Sequence, residues 1–121
     1  MLVITRRIDE RLILGDAVAV RVAALSGELA FLQINMPAFF YVRLNHEPVD
    51  VAAANNTVDL RLEESITIVS DNHAQMGRWS RGDEVTVTLA RVRDGKTQLA
   101  IDAPTHLSVH RSEVWNEFGN R

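Results

Sequence analysis

The chain contains no cysteine. Disulfides, thiolate metal centres and cysteine nucleophiles are therefore excluded, and the composition suits a reducing cytoplasm. Long apolar runs are also missing, and none approaches the roughly 18 residues needed to span a bilayer. Residues 1–7 do not read as a signal peptide, because the apolar run is short and Arg6 and Arg7 follow it. Aromatics are sparse, at 6%, and positive charge is not in excess. The 121 residues carry 13 basic and 16 acidic side chains, net −3, which argues against a protein that coats nucleic acid through bulk charge. A small basic site remains compatible with it.

Catalytic patterns are absent too. Glu63 and Glu64 are adjacent, so on a strand they face opposite ways and make no acid/base pair. There is no Gly-rich phosphate loop and no nucleophile elbow. His106 and His110 stand four apart, a metal-ligand spacing only on a helix, and they sit in strand-like sequence without a third ligand. His73 reads as solvated. No enzyme, metal, cofactor or small-molecule substrate is expected.

What is present has a period of two. Val18, Val20 and Val22 alternate with Ala17, Ala19 and Arg21, and Val85, Val87 and Leu89 alternate with Glu84, Thr86 and Thr88. Such alternation marks half-buried strands. Gly15-Asp16, Ser26-Gly27, Gly82-Asp83 and Asp94-Gly95 punctuate it as turns. Strands are expected near 1–7, 10–15, 17–25, 29–35 and 39–44, then near 57–62, 64–69, 84–92, 96–102 and 106–110. Pro37 and Pro104 mark corners between strands. Short helices are expected over 49–54, with Pro48 in its first turn, and over 112–118, with Gly119 as C-cap. Trp115 and Phe118 read as contacts from that last helix to the core.

The chain also resembles itself. A shift of 67 places Gly15-Asp16 on Gly82-Asp83, Val18 on Val85, Leu32 on Leu99, Pro37 on Pro104 and Val42 on Val109. A shift of 54 places Ile4 on Val58, Arg7 on Arg61, Glu10 on Glu64 and Leu12 on Ile66. The difference, 67 minus 54, is a 13-residue insertion in the second copy, near 69–81. Shared turn chemistry is harder to match by accident than shared hydrophobicity. A unit of this size buries too little to fold alone. The expected architecture is therefore all-β with a short C-terminal helix, in which two intertwined five-stranded units share one core. Residues 1–44 form the first repeat, 45–57 a linker and 58–121 the second repeat, all in one globular domain.

Residues 1–7 (Met-Leu-Val-Ile-Thr-Arg-Arg), Gly15-Asp16-x-Val18-x-Val20 and Asn35-Met36-Pro37 resemble the start of a carbon storage regulator of the CsrA/RsmA family. Asp102-Ala103-Pro104, then Leu107-Ser108-Val109-His110-Arg111 and Glu113-Val114, resemble that family's last strand and its entry into a C-terminal helix. The resemblance implies a bacterial, cytoplasmic, non-enzymatic RNA-binding regulator. Family members are homodimers that bind GGA-containing hairpin loops in messenger leaders or regulatory small RNAs. They repress translation or alter transcript stability. Each of their two identical sites joins the first strand of one subunit to the fifth strand of the other. This chain resembles such a dimer fused head to tail.

Fusion frees the two sites to differ. The resemblance assigns RNA contact at the first site to Ile4, Thr5, Arg6, Arg7, Ala103, Pro104, Leu107, Val109, His110 and Arg111. Arginine forks suit phosphates and guanine edges, and splayed bases stack on guanidinium planes. At the second site Asp59-Leu60-Arg61 replaces Thr-Arg-Arg, and Arg43-Leu44 replaces His-Arg. An acid has entered and arginines are missing, so this site is expected to be degenerate for RNA. Residues 1–44 hold five basic and four acidic groups, 45–81 three and six, and 82–121 five and six. The overall deficit of three thus equals that of the middle segment, outside the first site. Trp79, between Arg78 and Arg81, is expected to fold back over the core rather than stack on a base. Phe39-Phe40-Tyr41 is expected to be partly exposed as an interface. A competing reading, of another class, is a protein-interaction module or antagonist derived from such a regulator, with little RNA binding. A closed monomer is expected, because the linker holds the halves at high effective concentration.

Overall fold

The computed structural model describes residues 1–71 and 78–111. The element order is β1 (Leu2–Arg7), β2 (Arg11–Leu14), β3 (Val18–Ser26), β4 (Leu29–Asn35), β5 (Phe40–Leu44), β6 (Glu47–Val49), a single 3-10 turn (Ala52–Ala54), β7 (Thr57–Arg61), β8 (Ser65–Ser70), β9 (Glu84–Arg93), β10 (Lys96–Asp102) and β11 (Val109–Arg111). The all-β expectation holds, and the strands fall close to where the alternation places them. The expected C-terminal helix over 112–118, with Trp115 and Phe118, lies outside the described residues, as does His73.

The strands form two antiparallel sheets. One has six strands in the order β1-β10-β9-β8-β5-β6, and the other has five in the order β11-β2-β3-β4-β7. Each sheet is built around three consecutive strands, joined as a meander, and is flanked by strands from the other part of the chain. β1 and β5 flank β8–β10, while β7 and β11 flank β2–β4. The alternating apolar positions meet between the sheets. Leu12, Leu14, Val20 and Leu32 from one sheet and Ile66, Val87, Leu89 and Leu99 from the other are all fully buried in one cluster.

The turns follow their residues. Asp94-Gly95 closes the β9–β10 hairpin with positive φ at both positions, 54° and 73°. Pro37 and Pro104 sit at matching corners, where the Phe40 N–H donates to the Pro37 carbonyl (3.1 Å) and the Leu107 N–H to the Pro104 carbonyl (3.0 Å).

Three expectations need correction. Over 49–54 the helical part is limited to the Ala52–Ala54 turn, Val49 ends β6, and Pro48 lies not in a helix but in β6, opposite Arg43. The 45–57 segment is thus partly a strand: Asn45 and His46 adopt φ of 48° and 76°, a two-residue hairpin turn that their non-glycine identity concealed. Asn45 is held there because its side-chain amide donates to Glu64 and its carbonyl oxygen accepts from the Ser65 N–H. Finally, the last strand begins at Val109, leaving His106 in the preceding turn. Among the described residues no helix is long and apolar enough to cross a membrane.

Trp79 closes one end of the core. It is fully buried, its indole N–H donates to the Leu14 carbonyl (3.0 Å), and its ring meets Phe40 edge-on at 4.9 Å. The insertion near 69–81 thus carries a core side chain, as expected for Trp79. Gly15 makes room for it: a Cβ there would lie 2.3 Å from the indole nitrogen and 2.8 Å from Leu107 Cδ2. Gly15 also has φ +58°, as Gly27 has +60°, but nothing lies near a Cβ at Gly27. Gly27→Ala should cost only its backbone strain, about 1–2 kcal/mol, in urea unfolding. Gly15→Ala should cost clearly more, and Trp79→Ala about 3–5 kcal/mol.

Candidate nucleic-acid interface

β1 and β11 are both edge strands, one in each sheet. Among the described residues β1 pairs only with β10, through Ile4↔Leu99 and Thr5↔Gln98, and β11 only with β2, through Val109↔Leu14 and Arg111↔Leu12. The two edges converge on a groove of about 450 Å3 lined by Leu2, Val3, Ile4, Thr5, Val109, His110 and Arg111. Five of the ten residues assigned to the first site, separated by more than a hundred positions, are thereby brought together: Ile4, Thr5, Val109, His110 and Arg111. Thr5 and Arg111 are exposed, whereas Ile4, Val109 and His110 are half-buried. The His110 ring lies 3.9 Å from the Asp16 carboxylate.

The other five are placed differently. Arg7 is exposed on the outer face of β1. Ala103 and Pro104 are half-buried in the connection before β11. Leu107 is 5% exposed and packs in the core near Gly15, so it cannot cover a base. Arg6 is 3% exposed. Its Nε donates to the Thr5 carbonyl (2.8 Å), its Nη1 donates to the Arg11 carbonyl (3.2 Å), and Glu10 lies 3.9 Å away. Arg6 therefore braces the β1–β2 turn rather than presenting its fork to solvent. The signal was in the sequence: Arg6 stands two residues from Ile4, hence on the inward side of the strand.

That placement changes the meaning of Leu60. Leu60 is the counterpart of Arg6 at a shift of 54, and it is also fully buried. Exchanging one buried side chain for another removes no exposed contact. The differences at the second site lie elsewhere. Asp59 and Arg61 are exposed on β7, but the opposing edge is covered, because β6 pairs with β5 through Val42↔Val49, Arg43↔Pro48 and Leu44↔Glu47. Arg43 donates to Glu84 (2.7 Å), and Leu44 is half-buried against the core. Beside this strand Phe39 and Tyr41 are exposed, at 53% and 38%, while Phe40 is buried.

His106 Nε2 lies 2.8 Å from Asp83 Oδ2, and no cluster among the described residues could hold a metal ion.

The CsrA family, described as the global regulator protein family, matches residues 59–120, just over half of the chain. The chain belongs to this family. Among its relatives is the translational regulator CsrA of Clostridium botulinum (strain ATCC 19397 / Type A), 44% identical over 36 residues, which cover 30% of this chain and 50% of that protein. The same-named protein of Clostridium botulinum (strain Okra / Type B1) is 47% identical over 36 residues, again 30% and 50% of the two chains. That of Exiguobacterium sp. (strain ATCC BAA-1283 / AT1b) is 44% identical over 34 residues, 28% of this chain and 45% of the relative. The chain spans about half the length of these curated relatives. No solved structure matches it significantly.

The turn that leads into β11 is held by Asp83. Burial raises its carboxyl pKa, but the His106 hydrogen bond and the Ser80 N–H outweigh that, and the net shift is downward. Glu64 is also lowered, first by the Arg61 N–H and then by Asn45. Groups depressed in the folded state stabilise it above their unfolded pKa values, about 4, and lose that contribution as pH falls through the folded ones. Urea midpoints should therefore drop in acid below about pH 4, and Asp83→Asn should flatten that acid limb without steepening the neutral one.

Proposed function

We propose that this chain is a single-chain pseudo-dimer of the CsrA type, a non-enzymatic post-transcriptional regulator that binds GGA-containing hairpin loops in messenger leaders or small RNAs. One site, between β1 and β11, does the binding. The observation that carries this reading is the convergence of those two edges on a groove lined by Thr5, His110 and Arg111. Unpaired strand edges offer backbone donors and acceptors to splayed bases, and arginine supplies forked donors.

The repeat is supported by matching hydrogen bonds. The Arg7 N–H donates to Glu10 Oε1, and the Arg61 N–H to Glu64 Oε1, both at 2.8 Å. The Asp9 N–H donates to the Val22 carbonyl (2.7 Å), and the Glu63 N–H to the Leu89 carbonyl (2.8 Å). β3 and β9 also carry bulges at matching places, skipping Ala23 and Ala90. Loss of the second site rests on the β6 cover over β5, on Arg43 being tied to Glu84, and on Leu44 standing where the first site has Arg111.

Exposure of Phe39 and Tyr41 favours a second reading, a protein-interaction module with little RNA binding. Titration of a GGA-loop hairpin separates the two. One hairpin should bind per chain, and a changed GGA should abolish binding. Arg111→Ala should weaken it by about 1–3 kcal/mol, tenfold or more. Arg43→Ala should change it by less than about twofold, as expected for a residue outside the interface. Two hairpins bound with equal affinity would overturn the single-site reading, and no GGA-dependent binding would favour the module.

A further inference from the structure

The register of the six-stranded sheet lines up basic residues next to the groove. Arg7 on β1 faces Lys96 on β10, which faces Arg93 on β9. One row along, Thr5 faces Gln98, which faces Arg91. These six positions alternate with buried Arg6, Thr97 and Leu99, so their side chains share the outer face. Neighbouring strands are about 4.8 Å apart, so the Arg7–Lys96–Arg93 row spans about 10 Å. A shallow hollow of about 310 Å3 lies on this face, lined by Thr5, Arg91, Arg93, Asp94, Lys96 and Gln98. Thr5 lines the β1/β11 groove as well, so hollow and groove adjoin at Thr5.

The matching face of the other sheet is an internal control. There Arg61 faces Leu29, which faces Ser26, and Asp59 faces Phe31, which faces Ala24. With its hairpin residues Gly27 and Glu28, that face carries one cation and two anions. The first face, with Asp94 and Gly95 in the same hairpin places, carries four cations and one anion. Arg93 lies 3.6 Å from Asp94, whereas Arg7, Arg91 and Lys96 make no ion pair among the described residues. Four cations on three strands repel one another unless an anion is present, and they occur only beside the groove that keeps its arginine.

We propose that Arg91, Arg93 and Lys96, with Arg7, form a phosphate-binding surface that continues the RNA groove and holds the sugar–phosphate backbone of the RNA leaving the loop. This rests on the reading of the β1/β11 groove as the RNA site. The surface positions without reading sequence, because its groups are point charges and forks on an open face. The test is a triple variant, Arg91→Gln, Arg93→Gln and Lys96→Gln, titrated over a salt series. Two RNAs are used, a minimal GGA hairpin and the same loop on an extended stem. For the extended RNA, affinity should fall about tenfold at 0.1 M salt, and the slope of log affinity against log salt should shrink by about 3, since three contacts are lost and each removes close to one unit. The ratio of affinity between GGA and a changed loop should stay as it is, and Arg61→Gln on the control face should have no effect. If the wild type binds the GGA hairpin but the triple variant keeps its affinity and salt slope, the phosphate surface is refuted and the groove stands. If the wild type shows no GGA-dependent binding, both are overturned.

Discussion

β2–β4 and β8–β10 are each three-stranded meanders with two open edges, and each is closed by strands from the other part of the chain. A three-stranded meander of this length has one apolar face and cannot bury it alone. Flanking strands and the facing sheet come from elsewhere, so the core forms only when both parts are in place. β1 must cross to lie beside β10, and β11 must return to lie beside β2. The groove is a consequence of that exchange, because it carries the N-terminal strand and the last described strand to the neighbouring edges of different sheets.

The two ends of the molecule are treated differently. At one end both edges are open among the described residues, and the outer face beside them is cationic. At the other, Asn45 and His46 turn the chain back so that β6 covers the β5 edge. Covering an edge satisfies its backbone groups internally and protects it from pairing with another chain. The same hydrogen bonds then cannot be offered to a ligand. The insertion adds a further asymmetry: Trp79 fills the space over Gly15 and packs on Phe40, while Asp83 beyond it ties down His106 ahead of β11.

Much of this was legible in the sequence. Alternation of valines located the strands, Asp94-Gly95 located a hairpin, and the ungapped match of Gly15-Asp16 with Gly82-Asp83 pointed to repetition. The errors have specific causes. Arg6 and Leu107 were assigned to the ligand by the family resemblance, whereas this structure buries both side chains, and the strand period puts Arg6 beside Ile4 on the inner side. Leu60 was read as a lost contact for the same reason. β6 escaped because its turn is made by Asn45 and His46, non-glycine residues at positive φ, with Asn45 held by hydrogen bonds to Glu64 and Ser65 at the entry to β8. The basic rows were invisible because Arg7, Arg91, Arg93 and Lys96 become neighbours only through strand register.

The sequence by itself determined the fold class, the positions of most strands and the absence of thiol chemistry, since period, turn chemistry and composition are local properties of the chain. It also carried the family resemblance, through short motifs that survive in order. Only the tertiary structure decided which charged side chains face solvent, which edge is open and which is covered, and which arginines stand together. Those properties depend on pairings between residues as far apart as Arg7 and Lys96, and no local pattern encodes the register that joins them.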